Sequence, residues 1–348
     1  MTPRLQALAT AVPPHKLDQS DVASLARRLF ARRGQEIERL LPVFANAGIE
    51  SRYSCVPIDW YLESCDWQVR NQLYLDNALA LTETAATRCL DAAGLDVGEI
   101  DSIVAVSTTG LATPSLDARL MERLPFRRDL QRLPVFGLGC AGGALGLARA
   151  AALARGEPGS KVLLLVVELC GLTFRPCDLS NANIVATALF GDGAAAALIT
   201  CDEADAPTAI TSWGEHTWPN SLGVMGWLIK PDGFGVLFSQ DIPTIVRRQL
   251  GDAVDGFLAK HGLGRPDLDG VICHPGGAKV LTALEEVFDL PNGGLAEARA
   301  VLRDYGNMSA ATLLFVLERV LLKGLSGRQL LSALGPGFTA GFALLEEA

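Results

Sequence analysis

The run Val162-Leu-Leu-Leu-Val-Val167, closed abruptly by Glu168, constrains this chain more than any other feature. It is far shorter than the ~18 apolar residues needed to cross a bilayer. An apolar side chain at every position means that both faces of the extended segment are covered. The run predicts a strand deep inside a sheet with helices on both sides. Ser102-Ile-Val-Ala-Val-Ser107, Pro134-Val-Phe-Gly-Leu138 and Ala194–Ile199 are of the same type, separated by Gly-rich turns and an Ala/Leu helix over 141–155. Leu79, Ala80, Ala86 and Leu90 recur at helical spacing within 74–93, and Gly94 stops that helix. The second half repeats the scheme: strand Gly270-Val-Ile-Cys273, helices over about 278–288 and 308–323, and strands Leu330–Leu334 and Gly341–Leu345. The pattern is α/β. A length of 348 residues fits two domains of ~100–200 residues, or one duplicated unit. Two halves, 1–205 and 206–348, are expected to pack as one body, because no low-complexity linker parts them. Residues 206–235, rich in Trp, Gly and Pro, read as connection and pocket wall.

Composition removes whole classes of function. With 49% hydrophobic residues the chain is neither disordered nor a coiled coil. A net charge of −9 gives no general basic field, so a nucleic-acid partner is not expected. The segment after Met1 is a poor signal peptide, broken by Gln6, Thr10 and Pro13-Pro14, and a cytoplasmic protein without a membrane span is expected. Eight cysteines (55, 65, 89, 140, 170, 177, 201, 273) include no CxxC, so small buried thiols are expected rather than disulfides or a metal site. Walker, HExxH and GxSxG motifs are absent, and Gly191-Asp-Gly193 lacks dinucleotide-binding context.

Three residues carry the chemistry. Cys140 lies between the apolar run Leu133–Leu138 and a Gly/Ala-rich helix, so its thiol sits at a strand-to-helix elbow where the helix terminus favours thiolate. The bland alternative is a small core residue on a tight turn. His274 ends the strand 270–273 and precedes Pro275-Gly276-Gly277, which places an imidazole at the sheet's C-terminal edge, where α/β proteins bind ligands. A satisfied turn histidine is its alternative, and His216 near Trp218 is a second pocket candidate; His15 and His261 stand in polar turns. Asn307, after Gly306, is either a helix cap or an amide donor. Together a thiol, an imidazole and an amide are what acyl transfer through a thioester needs. A papain-like protease uses the same residue types, but its cysteine motif is missing and the fold pattern differs. Phe190 reads locally as an ordinary core aromatic.

The motifs in order resemble the bacterial type III polyketide synthases of the chalcone synthase superfamily, nearly end to end. They are Ala9-Thr-Ala-Val-Pro-Pro-His15, Val106-Ser-Thr-Thr-Gly110, Gly137-Leu-Gly-Cys-Ala-Gly-Gly143 and Ala188-Leu-Phe-Gly-Asp-Gly-Ala-Ala195. They continue with Val224-Met-Gly-Trp227, Gly233-Phe-Gly-Val-Leu-Phe-Ser-Gln-Asp-Ile-Pro243, His274-Pro-Gly-Gly277, Tyr305-Gly-Asn-Met-Ser-Ala310 and Gly335-Pro-Gly-Phe338.

The resemblance implies a thiolase-like αβαβα fold, a homodimer, and an acyltransferase that repeatedly condenses malonyl-CoA, with loss of carbon dioxide, onto an acyl-CoA starter. No cofactor or metal beyond the CoA thioesters is implied. By position it implies Cys140 as nucleophile, His274 and Asn307 as the pair that stabilises the malonyl enolate, and Phe190 as the aromatic at the cavity mouth. It further implies a His274 imidazolium holding Cys140 as thiolate. Thr108, Thr173, Met225, Gly226 and Val236 fall where the family lines its pocket, together with the loop Gly335, Pro336, Gly337 and Phe338. Their small or flexible side chains suggest a roomy cavity, a fatty acyl starter and an alkylpyrone or alkylresorcinol product. Arg39 and Arg52, with Gly276 and Gly277, match the CoA-binding region, although the basic cluster of plant members is reduced to those two arginines. The rivals are a ketoacyl synthase III that condenses once on a carrier protein, a hydrolytic relative of the same fold, and a catalytically inactive scaffold.

Overall fold

In the computed structural model, which describes residues 1–63, 66–201 and 206–347, nine strands form one mixed sheet. In chain order they are β1 (Arg4–Ala11), β2 (Ser102–Val106), β3 (Gln131–Val135), β4 (Lys161–Leu169), β5 (Asp192–Thr200), β6 (Thr208–Thr217), β7 (Gly270–Cys273), β8 (Arg328–Gly335) and β9 (Thr339–Glu347). Their spatial order is β7-β8-β9-β6-β1-β5-β4-β2-β3. The first half thus supplies β1 to β5 and the second half β6 to β9. The two sets meet only where Arg4 and Leu5 of β1 pair with Ala209 and Thr208 of β6.

Between the half-sheets lie two helices, α3 (Gly142–Gly156) and α6 (Ala310–Lys323), packed on each other and on strands of both halves. Most α3 side chains are Ala, Gly or Leu, and its buried face is nearly continuous. The close approach requires them: a Cβ on Gly143 would lie 2.5 Å from the Ala310 carbonyl oxygen. On the outer faces, α2 (Trp67–Ala93) covers β1, β5 and β4, and the helix Gly251–Ala259 packs on β6. Helix, sheet, helix, sheet, helix is the five-layered thiolase-like arrangement. Leu164 of β4 is fully buried in the central layer, so truncation to Ala would cost about 2–5 kcal/mol.

Several elements differ from their sequence reading. Residues 208–217 are not a connection but β6, paired with β9 along its length; only the hairpin of Met225–Lys230 and Gly233–Phe238 walls a pocket. The Leu/Ala segment after Met1 is β1, in mid-sheet, with Ala7, Ala9 and Ala11 packed into the core on one face and Leu5 and Leu8 into the core on the other. The strand expected at 134–138 ends at Val135 and is the sheet's exposed edge, and the helix expected from Tyr74 begins at Trp67, capped by Asp66. The boundary set at 205/206 abuts residues 202–205, which lie outside the described residues, as does Cys65.

Candidate active site

Cys140 sits in a single 3-10 turn, Gly139–Ala141, that runs straight into α3. Gly335, at the end of β8, makes the turn possible from the other side, since a Cβ there would meet the Leu138 carbonyl oxygen at 2.4 Å. His274 directly follows β7, its backbone N–H donating to the Ser332 carbonyl of β8 at 2.9 Å. The Asn307 backbone N–H donates to Leu189 O at 2.8 Å. Its Oδ1 accepts from the Ser309 N–H at 2.8 Å, and its Nδ2 donates to Gly276 O at 3.3 Å. The amide therefore caps its own turn, as Asn does, while its NH2 keeps a second proton to offer. Cys140, His274, Asn307 and Met225 line one cavity of about 420 Å³. A neighbouring cavity of about 430 Å³ shares Cys140 and Met225 and adds Phe190, Gly226, Val236 and Pro336.

Burial dominates the electrostatics. Desolvation pushes the Cys140 thiol up to about 12, opposed by hydrogen bonds to Ser309 and Asn307, and pushes His274 down to about 3. Among the described residues neither ring nitrogen of His274 has a hydrogen-bond partner. Burial thus acts against the expected imidazolium–thiolate pair in the substrate-free site and favours the neutral thiol and the neutral imidazole. An unpaired buried polar group costs about 1–3 kcal/mol, which an incoming carbonyl oxygen would recover. Glu168, buried at the end of β4, accepts from the Thr108 backbone N–H (3.0 Å), the Thr108 hydroxyl (3.0 Å) and the Thr109 hydroxyl (2.9 Å). Desolvation outweighs these bonds and lifts its carboxyl to about 7. Glu168 and Ser309 were not singled out from the sequence; the signal for the first was a lone charge closing an apolar strand.

The remaining pocket residues divide. Met225, Gly226, Val236 and Pro336 line the cavities around Cys140. Thr108 is buried and turns its hydroxyl to Glu168. Thr173 lies in a mainly apolar cavity of about 540 Å³ beside α1 (Gln19–Leu29) whose walls include Arg52, Cys170, Phe190 and Val236. Gly337 adopts a positive φ of 128°, and Phe338 is core, packed against Trp218. His216 stacks edge-on with Trp218 rather than lining these cavities.

A wide cleft of about 1360 Å³ opens between Arg39, Asn181, Phe238 and the start of the helix Ala278–Val287, and it contains Gly276 and Gly277. Its second cation is Lys279, which sequence reasoning missed. Arg52 does not belong there. It is buried, and its guanidinium is turned inward to backbone carbonyls. Among the described residues no cluster of three or more His, Cys, Asp or Glu side chains could hold a metal ion, and no helix is long and apolar enough to cross a membrane.

Models of the N-terminal and C-terminal domains of chalcone and stilbene synthases match residues 58–203 and 210–345. The chain is 42% identical to a 1,3,6,8-tetrahydroxynaphthalene synthase of Streptomyces peucetius subsp. caesius, over 97% of this chain and 92% of that one. It superposes with a TM-score of 0.93 on the Streptomyces coelicolor A3(2) 1,3,6,8-tetrahydroxynaphthalene synthase, a bacterial type III polyketide synthase, at 30% identity and 99% coverage of both chains. PKS-I from the brown alga Ectocarpus siliculosus gives a TM-score of 0.92 at 27% identity, covering 100% of this chain and 98% of that one.

Proposed function

The chain belongs to the chalcone and stilbene synthase family and is a type III polyketide synthase, an acyltransferase, and from that premise we propose that it extends a fatty acyl-CoA starter with malonyl-CoA on Cys140. The observation that carries this is the convergence of Cys140, His274 and Asn307, from three separate segments, on one cavity.

In the proposed mechanism the Cys140 thiol attacks the starter thioester carbonyl, its proton passes to neutral His274 and from there to the departing sulfur, and CoA leaves as the thiol while the new Cys140 thioester forms. Malonyl-CoA then places its thioester oxygen against His274 and Asn307. As the carboxylate leaves as carbon dioxide, the electron pair of the broken C–C bond moves into an enolate whose oxygen those donors stabilise. One such donor is worth roughly 3–4 kcal/mol. The enolate carbon attacks the Cys140 thioester, which transfers the acyl chain to the CoA-bound extender and frees the sulfur; the sulfur then attacks the new thioester, CoA leaves, and the lengthened chain is back on Cys140 for another round. Phe190 closes the apolar side of the cavity, where exclusion of water favours loss of the charged carboxylate. CoA thioesters supply all the chemistry this cycle needs.

The apolar cavity beside α1, walled by Val22, Leu25 and Leu29 and sharing Cys170, Phe190 and Val236 with the cavity at Cys140, supports a fatty acyl chain and hence an alkylpyrone or alkylresorcinol product. A second reading, an aromatic product without an alkyl chain such as the 1,3,6,8-tetrahydroxynaphthalene for which the 42% identical relative is named, needs no long-chain starter. Pure protein with labelled malonyl-CoA and starters from acetyl-CoA to stearoyl-CoA separates them. Products requiring a long-chain starter support the first; a product formed from malonyl-CoA alone supports the second. Arg39 and Lys279 at the wide cleft are the proposed CoA phosphate partners, beside the backbone of Gly276 and Gly277.

A homodimer belongs to the same reading, supported by the unpaired edge strand β3 and the exposed Leu133 and Phe136 beside it. Light scattering should give twice the chain mass; a monomer would contradict it. The seven described cysteines are all free thiols, which supports a cytoplasmic setting.

A further inference from the structure

Arg52 packs beside Gly191 and Gly306, next to the bridge that joins Phe190 of the first half to Asn307 of the second. Helix α4 (Asn181–Leu189) ends at Phe190, which leaves the usual unpaired carbonyls of a helix C-terminus. Arg52 Nη1 donates to Thr187 O at 2.9 Å and to Phe190 O at 2.8 Å, and Nη2 donates to Ala188 O at 2.7 Å. The remaining two carbonyls are taken as well: Ala186 O by the Phe190 N–H at 2.9 Å, Leu189 O by the Asn307 N–H at 2.8 Å. Gln19 of α1 completes the clamp, its Oε1 accepting from Arg52 Nη2 and its Nε2 donating to Ala188 O at 3.1 Å and Phe44 O at 3.0 Å.

The clamped segment is the one that matters for decarboxylation. Phe190 and Asn307 face each other as an isolated parallel β-bridge, and the Gly191 N–H donates to Asn307 O at 3.0 Å. A buried cation at a helix C-terminus is favoured by the helix dipole, and it holds three carbonyls where water cannot. Burial lowers the Arg52 guanidinium to about 10, and the buried carboxyl of Asp192 acts against that shift, so the cation persists at neutral pH.

We propose that Arg52 is a positioning residue for the decarboxylation half-reaction: by fixing the C-terminus of α4 it sets the backbone of Phe190 and, through the bridge, of Asn307. The proposal rests on the polyketide synthase reading above. It differs from a CoA contact, because Arg52 touches no part of the cleft that holds Arg39 and Lys279 and lines instead the cavity beside α1.

The test compares two half-reactions in wild type, Arg52→Met and Arg52→Lys: loading of Cys140 from acetyl-CoA, whose two-carbon chain makes no use of the cavity beside α1 that Arg52 lines, read by intact-protein mass, and carbon dioxide release from labelled malonyl-CoA. Arg52→Met should load within about twofold of wild type, while kcat for decarboxylation falls on the order of 10- to 100-fold with KM for malonyl-CoA little changed. Arg52→Lys, a point charge in place of a fork, should fall between. In an Asn307→Ala background, Arg52→Met should add little further loss. Equal loss of loading and decarboxylation, an undiminished decarboxylation rate, or a raised KM alone would overturn the proposal. Should Arg52→Met not fold, Gln19→Leu loosens the same clamp and is held to the same selective loss. If wild type itself neither loads nor decarboxylates, the synthase reading fails instead.

Discussion

The sulfur of Cys140 lies 3.7 Å from the hydroxyl of Ser309, a contact that joins the first half of the chain to the second at the reacting atom. Ser309 is held in place by backbone as much as by side chain, for its φ of 48° is rare outside glycine and its N–H is fixed by Asn307. The hydroxyl is the main group opposing the upward push of burial on the thiol. Removing it, in Ser309→Ala, should raise that thiol further and slow alkylation of Cys140 by iodoacetamide several-fold at pH 8. The exposed Cys177 is an internal reference whose rate should not move. An unchanged or faster rate at Cys140 would show that the contact does not act on the thiolate.

His274→Gln and Asn307→Ala should each lower malonyl-CoA decarboxylation by about 10²- to 10³-fold, the loss expected for one oxyanion donor. Cys140→Ala should abolish the acyl-enzyme yet leave these donors in place. Carbon dioxide release from labelled malonyl-CoA measures the first effect, and protein mass the second. Decarboxylation at wild-type rate in Asn307→Ala would remove that residue from its role.

Much of this site was legible before any fold was known. Cys140, His274 and Asn307 each follow a strand or turn whose glycines left a visible mark, and their residue types name one chemistry. Glu168 and Ser309 were not legible as functional, since their significance comes from the packing of β4 against a turn more than a hundred positions away. Arg52 was misplaced for a related reason: an arginine in a charged neighbourhood reads as surface until the carbonyls of α4 are seen around it. In the fold, strands apolar at every position were readable, whereas β1 and β6 were hidden because alanine, threonine and glycine alternate too weakly to announce a period of two.

The Glu168 carboxyl, lifted to about 7 by burial, makes folding stability depend on pH. Between its ordinary value of 4.5 and about 7 the native state holds the proton more tightly than the unfolded chain, so this group's contribution is largest below pH 4.5 and declines as pH rises through 7. The decline amounts to at most about 3 kcal/mol. Thermal unfolding of wild type and Glu168→Gln at pH 5 and pH 8 isolates it. The difference in Tm between the two proteins should shift in favour of the variant at pH 8, and a difference independent of pH would contradict the assignment.

Charge reversal at the wide cleft, Lys279→Glu or Arg39→Glu, should raise KM for malonyl-CoA several-fold with kcat little changed, and the effect should shrink at high salt. A short N-acetylcysteamine thioester, which lacks the CoA phosphates, should be turned over equally by variant and wild type. A parallel rise in KM for both thioesters would place the two cations outside CoA recognition.

What accumulates at Cys140 distinguishes iterative extension from a single condensation. Peptide mass spectrometry after loading with a fatty acyl-CoA, then brief exposure to malonyl-CoA without any carrier protein, should show the starter on the Cys140 peptide followed by successive two-carbon extensions on that same sulfur. Extension that stops after one unit, that requires an acyl carrier protein, or that appears on another cysteine would contradict an iterative synthase built on Cys140.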